Sequence, residues 1–160
     1  GIAANVKPGS GPRHLVFSPN GRYAYLMNEL SGKVIVYSYS DGKLKELQSI
    51  AADNANAGGG ADIHVSPDGM FVYTSTRLKG DGITIFRVGN KGTLTRVGAQ
   101  LTGKHPRNFA ITPNGNFLLV ACRDDNSIQV YSRDKDTGLL KNTHQDIVLS
   151  HPVCVKFYPE

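Results

Sequence analysis

A four-residue turn motif returns along the chain at an almost constant interval. Ser18-Pro19-Asn20-Gly21 is followed 48 residues later by Ser66-Pro67-Asp68-Gly69, and a further 46 residues later by Thr112-Pro113-Asn114-Gly115. After another 46 residues, Phe157-Tyr158-Pro159 matches the frame of Phe17-Ser18-Pro19. Repeats of about 20 to 50 residues are typical of architectures in which each unit buries its apolar surface only against its neighbours. The chain therefore predicts three full repeats and the opening of a fourth.

Each repeat has the pattern of four short strands. In the first repeat, apolar and aromatic residues predict strands over 13–18, 22–28, 33–39 and 43–50. The later repeats predict strands over 63–66, 70–76, 83–88 and 93–97, and then over 107–112, 116–122, 127–132 and 139–146. Helical periodicity is absent, and 18 Gly with 8 Pro in 160 residues suit many tight turns. We expect an all-β fold, a β-propeller of four-stranded antiparallel blades.

Three blades and a strand are fewer than the ~4–8 blades of a propeller ring. We expect blades over 11–50, 60–100 and 105–147, with the first strand of a closing blade over 151–159. The whole chain, 1–160, is then the C-terminal portion of one propeller domain, and its start without Met fits a piece of a longer chain. Missing N-terminal blades or a second copy would complete the ring, and the piece alone is expected to be inactive. The Gly-rich segment 51–61 is interpreted as a flexible connector between blades, with a lid over a site as the alternative.

The charge balance of the chain indicates which kinds of ligand it could bind. The net charge is +5 and the pI about 9.3, but the cations are scattered without the basic run typical of nucleic-acid binding. A small anionic ligand fits better than nucleic acid. No apolar run approaches the ~20 residues of a membrane span. Residues 1–11 lack the basic and apolar regions of a signal peptide. We therefore expect a cytoplasmic protein without a membrane partner.

Aligned positions of the repeats collect charged residues at one mouth of the propeller channel. Because successive strands alternate in direction, the start of each first strand and the end of each second strand lie on the same face. The second strands end at Glu29, Arg77 and Arg123, and the first strands begin with Arg13-His14, Ala61-Asp62, Arg107-Asn108 and Val153-Cys154. Four guanidinium groups with a histidine and one or two carboxylates would bind an anion and support acid–base chemistry.

Several of these residues also have a plainer interpretation. Any single arginine can be a solvated loop residue or an ion-pair partner of a neighbouring blade. Arg123 precedes Asp124 and Asp125, and a local ion pair is expected there. Asp62 is interpreted as a turn residue. His64 is expected to pack in the core or against the next blade.

The remaining histidines and the cysteines do not predict a metal centre or a cofactor. His105 and His151 each precede a proline, which is typical of turns first and of ligands second. Cys122 and Cys154 lie in apolar, strand-like stretches, and we expect both to be buried free thiols. No metal-ligand spacing and no nucleophile motif such as Gly-x-Ser-x-Gly is present.

Four motifs together match a known family. They are Gly-Pro-Arg-His at 11–14, Asn28-Glu29, Ser75-Thr76-Arg77, and His-Pro-Arg-Asn-Phe at 105–109. In these motifs the chain resembles the C-terminal part of the lactonase family of seven-bladed β-propellers, over essentially its whole length. The resemblance implies that the chain holds about three and a half of seven blades. It also implies a lactone-processing site at the channel mouth, in which Arg13, Glu29 and Arg77 take the positions of family site residues.

The resemblance implies hydrolysis of a sugar lactone, most directly 6-phosphogluconolactone to 6-phosphogluconate, a reaction of carbohydrate metabolism in the pentose phosphate pathway. Such a hydrolase needs a base for the attacking water and donors for the tetrahedral oxyanion. The residues expected to be catalytic are Glu29, Arg77 and His14, with either Glu29 or His14 as the base. Those expected to bind substrate are Arg13, Arg107 and Arg123. Two alternatives are a propeller scaffold without enzymatic activity and a muconate-type lactonizing enzyme.

Overall fold

The computed structural model describes residues 1–53, 55 and 57–158, which form three antiparallel sheets. The first contains β1 (Pro12–Phe17), β2 (Tyr23–Asn28), β3 (Lys33–Ser40) and β4 (Lys43–Ala51). The second contains β5 (Gly60–Val65), β6 (Phe71–Thr76), β7 (Gly82–Val88) and β8 (Leu94–Leu101). The third contains β9 (Pro106–Ile111), β10 (Phe117–Cys122), β11 (Ser127–Arg133), β12 (Leu140–Asn142) and β13 (Ile147–Val148). The predicted all-β fold with four-stranded antiparallel blades is confirmed.

The last strand of the third blade, expected over 139–146, is split into β12 and β13. Both pair with β11, but a bulge separates them. Within it, the backbone N–H and the hydroxyl of Thr143 both donate to the carbonyl of Val130. The side chain of Asn142 accepts a hydrogen bond from the N–H of His144, whose φ is 57°. The Thr143 bonds still reach β11, whereas the local bond between Asn142 and His144 and the positive φ of His144 interrupt the strand.

The strand expected over 151–159 is not formed in the described residues 151–158. A strand exists only through its ladder, and this segment pairs with none of the described strands. It contacts the third blade through the N–H of Val155, which donates to Oδ1 of Asn108 over 2.6 Å. Pro159 lies outside the described residues.

The core lies between successive sheets. Tyr25, Met27 and Val36 of the first blade pack against Val72 and Phe86 of the second. A second cluster joins the middle and third blades, and it includes Phe71, Tyr73, Ile85, Phe109, Leu118 and Val120. The first strands β1, β5 and β9 lie side by side, as expected for strands that line a propeller channel.

Hydrogen bonds between equivalent residues join the blades at the end opposite the starts of these strands. The hydroxyl of Tyr25 donates to the carbonyl of Gly92, and that of Tyr73 donates to the carbonyl of Gly138. Besides the strands, the described residues contain a short 3-10 turn, Arg123–Asp125. In the part of the chain that the structure describes, no helix has the length and apolarity needed to cross a membrane.

Candidate functional site

Glu29 lies between two arginines at the predicted channel mouth. Its Oε1 accepts a 2.6 Å hydrogen bond from Nη2 of Arg77, and its Oε2 lies 3.2 Å from Nε of Arg13. Glu29 follows β2, Arg77 follows β6, and Arg13 is the second residue of β1. The hydrogen bond from Arg77 lowers the pKa of Glu29 most, and the charges of both arginines lower it further. Glu29 is therefore an ionised carboxylate that holds two guanidinium groups side by side.

The guanidinium of Arg77 is almost fully enclosed. Nε donates to the carbonyl of Gly59, and Nη2 also approaches the carbonyl of Gly60, both at 3.3 Å. A Cβ on Gly59 would lie 2.7 Å from the carbonyl of Arg77, and one on Gly60 would lie 2.7 Å from the carbonyl of Asn28. Only glycine fits this close approach. The segment expected to be a flexible connector is thus buried at 58–60, while Asn54 and Asn56 lie outside the described residues.

His105 contributes to the site although its sequence context indicated a turn. It has the positive φ of 57° expected for a turn, but its Nε2 also lies 3.3 Å from Nη1 of Arg77. A guanidinium only donates, so Nε2 accepts and Nδ1 carries the proton. Nδ1 lies 3.6 Å from a carboxylate oxygen of Asp124. Burial lowers the pKa of His105, and the charges of Arg123 and Arg77 lower it further, which keeps the ring neutral.

The two remaining arginines of the predicted site differ in their surroundings. Arg107 lines the same cavity as Arg13. Burial and the charge of Arg77 lower the pKa of Arg13 most, and the charge of Arg107 lowers it further. Arg123 forms the expected local ion pair, with Nε 2.7 Å from Oδ1 of Asp124. The structure therefore brings Arg107 to the cavity, whereas Arg123 acts on the site through the charge that it places near His105.

A buried carboxylate forms a second group of residues beside Arg13. Asp62 is 3% exposed; its Oδ1 lies 2.7 Å from Nδ1 of His14 and its Oδ2 lies 3.1 Å from Nε2 of His64. The side-chain amide of Asn108 and the N–H of Phe109 also donate to Oδ2. Burial alone would raise the pKa of Asp62, but the hydrogen bond and charge of His64, with the hydrogen bonds from His14 and Phe109, lower it to about 2. The interpretation of Asp62 as a turn residue is wrong, because it lies within β5 and serves as an acceptor for two blades.

His64, the other histidine bonded to Asp62, also contacts the third blade. His64 packs edge-on against Phe109 of the next blade, with ring centroids 4.8 Å apart, as one of its interpretations predicted.

Cys122 is buried, which raises the pKa of its thiol to about 12. Cys154 is exposed, contrary to expectation, because it lies in the segment without a ladder partner. Among the described residues, no group of His, Cys, Asp and Glu is arranged to hold a metal ion.

β-Bulges at the starts of the first strands of the blades direct neighbouring residues into one cavity. The register shifts between Pro12 and His14 in β1, between Gly60 and Ile63 in β5, and near Arg107 in β9. Consecutive residues of a regular strand point to opposite faces, and a bulge relaxes that alternation. As a result, the neighbours Arg13 and His14 line one cavity of about 460 Å³, as do Arg107 and Asn108. The cavity also receives Asp62, His64 and Lys156.

Comparison with known proteins places the chain in a family. A family model described as "Lactonase, 7-bladed beta-propeller" matches residues 2–157. The chain belongs to the seven-bladed β-propeller lactonase family. This lactonase chain is 48% identical to the 6-phosphogluconolactonase of Formosa agariphila over 153 residues, which are 92% of the chain and 43% of that protein. It is 37% identical to the 6-phosphogluconolactonase of Bacillus subtilis over 159 residues, 94% of the chain and 45% of that protein.

Solved structures agree with the assignment of this lactonase chain. A putative 6-phosphogluconolactonase from Bacteroides fragilis superposes with a TM-score of 0.96 at 58% identity, covering 98% of the chain and 44% of that structure. The periplasmic gluconolactonase of Pseudomonas aeruginosa superposes with a TM-score of 0.90 at 35% identity, covering 98% of the chain and 45% of that structure. The chain thus spans less than half the length of the relatives it matches.

Proposed function

We propose that the cavity beside Glu29 hydrolyses a sugar lactone, 6-phosphogluconolactone, to 6-phosphogluconate. The observation that carries the proposal is the pair of guanidinium groups, Arg13 and Arg77, that Glu29 holds together at the edge of a cavity that also receives His14. Relatives at 37–48% identity are named for this reaction. A cationic cavity with an imidazole suits an anionic lactone that reacts through an oxyanion.

His14 is better suited than Glu29 to activate the water. The hydrogen bond and charge from Arg77, with the charge of Arg13, lower the pKa of Glu29 and make it a weak base. His14 is half-exposed in the cavity and bonded only through Nδ1 among the described residues. In the proposed reaction, its Nε2 takes a proton from water as the oxygen bonds to the lactone carbonyl carbon. The same proton then passes to the ring oxygen as the ring C–O bond breaks, which leaves a hydroxyl and a carboxylic acid, and the acid releases its remaining proton to solvent to give the carboxylate.

In this proposal different arginines bind the oxyanion and the phosphate of the substrate. In the described structure Nη2 of Arg13 has no acceptor, and Arg13 lines the cavity, so it can donate to the developing oxyanion. Glu29 holds Arg13 in place, and Arg77 offsets the negative charge of Glu29, so that the three groups together keep a net positive charge. Arg107 binds the phosphate, and Lys156 of the same cavity adds charge for it. Arg123 takes part more weakly, through its charge near His105.

The lactonase ring needs more than three blades. On the outer side of the first blade Phe17 and Tyr39 stack edge-on yet are 44% and 39% exposed, and on the third blade Ile147 and Val148 are 50% and 87% exposed. Apolar faces of this kind are buried between neighbours in a propeller. We propose that further blades, or a second copy, cover them, and that the 160-residue chain as a monomer is inactive. Turnover by a purified monomer of these residues would contradict this.

A cytoplasmic location belongs to the same proposal. The proposed substrate is a sugar phosphate, whose charge keeps it in the compartment where it forms. The Pseudomonas aeruginosa neighbour is named as a periplasmic gluconolactonase, so the location and the preference for phosphate both need to be measured. Cell fractionation together with the substrate comparison below tests the pairing of location and substrate.

The decisive assay measures hydrolysis of 6-phosphogluconolactone by the full-length protein, meaning the chain together with whatever completes its ring. We expect a rate well above spontaneous hydrolysis, a lower rate with glucono-δ-lactone, and a clear fall of the enzymatic rate in Glu29→Gln and Arg77→Ala. An unchanged rate in both variants would show that the site is elsewhere. Turnover of a carboxylated muconolactone, but not of the sugar lactones, would favour the lactonizing alternative instead.

A further inference from the structure

The carboxylate of Asp62 accepts five hydrogen bonds. Oδ1 accepts hydrogen bonds from Nδ1 of His14 and from the N–H of Ile63. Oδ2 accepts hydrogen bonds from Nε2 of His64, from the side-chain amide of Asn108 and from the backbone N–H of Phe109. An ionised carboxylate has no proton to give, so every one of these partners must donate. Asp62 is therefore placed so as to dictate which ring nitrogen of each histidine carries a proton.

For His14, this condition determines the tautomer of the neutral ring. Its Nδ1 lies 2.7 Å from Oδ1 and must carry the proton, which leaves Nε2 with its lone pair. Nε2 has no hydrogen-bond partner among the described residues, and the side chain is 44% exposed in the cavity. The nitrogen that remains basic is thus the one that a water or a substrate in the cavity can reach.

The two carboxylate oxygens of Asp62 accept different numbers of hydrogen bonds. Oδ2 has three, including the backbone N–H of Phe109, whereas Oδ1 has the adjacent N–H of Ile63 and His14. His64 is further restrained by its edge-on contact with Phe109. The Oδ2 side is therefore anchored by the third blade, and the Oδ1 side is the one turned to His14.

We propose that Asp62 is a positioning residue of the lactonase reaction, which holds His14 with its proton on Nδ1 so that Nε2 serves as the base. The inference rests on the proposed function and adds to it a residue from the second blade. Glu29, although charged and closer to the arginines, then has no proton-transfer role. Asp62 contributes through the orientation and tautomer of His14, as the buried aspartate does in a Ser-His-Asp triad.

The test uses Asp62→Asn in the full-length protein. Three donors face Oδ2 and two face Oδ1, so we expect the amide oxygen to take the Oδ2 position. The new NH₂ group then replaces Oδ1, donates to Nδ1 of His14 and leaves the N–H of Ile63 without its acceptor. The imidazole must then carry its proton on Nε2 and loses its basic lone pair in the cavity. We expect kcat to fall about 10²- to 10⁴-fold, the usual contribution of a general base, with little change in KM. Asp136→Asn, an exposed position outside the site, is the matched control and retains full activity.

A spectroscopic measurement makes the test independent of turnover. Two-bond ¹⁵N–¹H NMR spectra of the histidine rings distinguish the two tautomers, and loss of one ring in His14→Asn assigns its signals. His144→Asn, in an exposed turn, is the control for that substitution. We expect the Nδ1–H form of His14 in the native protein and the Nε2–H form in Asp62→Asn. The native spectrum tests the tautomer even where Asp62→Asn fails to fold.

The outcomes separate the two hypotheses. Absence of lactone hydrolysis in the native protein would refute the proposed function, while the tautomer of His14 would still report on Asp62. A folded Asp62→Asn protein with native kcat, or a native His14 in the Nε2–H form, would overturn the positioning role and leave the lactonase proposal intact. In the double variant with His14→Asn, Asp62→Asn should lower kcat no further, because its effect passes through His14.

Discussion

Nη2 of Arg77 donates a 2.6 Å hydrogen bond to Oε1 of Glu29, and the two residues occupy the same position in consecutive repeats. They are 48 residues apart, the interval that separates the first two turn motifs. His14 and Asp62 are related in the same way, as are the nearly equivalent Asp62 and Asn108 across the next interval. The site thus arises where neighbouring copies of one repeat position carry different, complementary side chains.

Replacing the carboxylate that joins the arginines should reduce activity. Glu29→Gln removes the charge between Arg13 and Arg77 and leaves one acceptor for two guanidinium groups. We expect kcat/KM for 6-phosphogluconolactone to fall about 10- to 100-fold, the effect of losing a charged hydrogen bond worth about 1.5–3 kcal/mol. Glu46→Gln on the exposed β4 strand is the control. Equal kinetics in the two variants would remove Glu29 from the site.

Arg107 should determine recognition of the phosphate. In Arg107→Ala we expect KM for 6-phosphogluconolactone to rise about tenfold or more, since a charged hydrogen bond to phosphate is lost, with a smaller change for glucono-δ-lactone. Arg22→Ala, at the opposite end of the first blade, should change neither value. A rise that is the same for both lactones would assign Arg107 to a part of the substrate other than its phosphate.

Arg123 should matter less than Arg107. Its guanidinium already pairs with Asp124, and it acts on the site through the charge near His105. We expect Arg123→Ala to change kcat/KM by no more than a few fold, because exposed ion pairs and screened charges contribute little. Steady-state kinetics on the Arg107 and Arg123 variants, measured side by side, give the ranking. A larger loss in Arg123→Ala would require direct contact with the substrate.

Asp62 should make the protein sensitive to acid. Its pKa of about 2 in the folded state is below the ordinary value of 3.8, so the folded state binds its proton less readily than the unfolded chain does. This difference contributes about 2 kcal/mol above pH 5, and the contribution is lost as the pH falls towards 2. Asp62→Asn should therefore be less stable at pH 7 and lose less stability on acidification. Urea unfolding of the native protein, this variant and Asp136→Asn at pH 7, 4 and 2.5, as rough sampling points across this window, checks the difference in slope.

An ion pair far from the cavity should affect stability alone. Nη2 of Arg133, whose side chain is fully buried, lies 2.8 Å from Oδ2 of Asp68 in the turn of the preceding blade. Asp68→Asn leaves this guanidinium with its bonds to Tyr73 and Gly115 but without its counter-charge. We expect a loss of about 1–3 kcal/mol in the free energy of unfolding. Because Asp68 lies at the opposite end of β5 from Asp62, kcat should not change. Asp41→Asn, in an exposed turn, is the control for both measurements.

The amino-acid sequence by itself determined the strands and the face on which the site lies. Strand and turn preferences are local, and the repeated Pro-Asn/Asp-Gly turns set the period, so the three four-stranded blades follow from the chain alone. Aligning the repeats was enough to bring Arg13, Glu29 and Arg77 to one mouth. Where the local pattern was weak, as in 139–146 and 151–158, the expected strands were interrupted or absent.

Only the tertiary structure decided which of the aligned residues meet. The burial of Asp62 and its bonds to His14 and His64 depend on the packing of three blades, which no single repeat encodes. The bulges that turn Arg13 and His14 into one cavity shift the strand register, and sequence periodicity does not show them. Arg123 occupies the repeat position of Arg77, but it forms an ion pair with the adjacent carboxylate of Asp124. Position in the repeat is thus encoded locally, whereas the partner of each side chain depends on distances between blades.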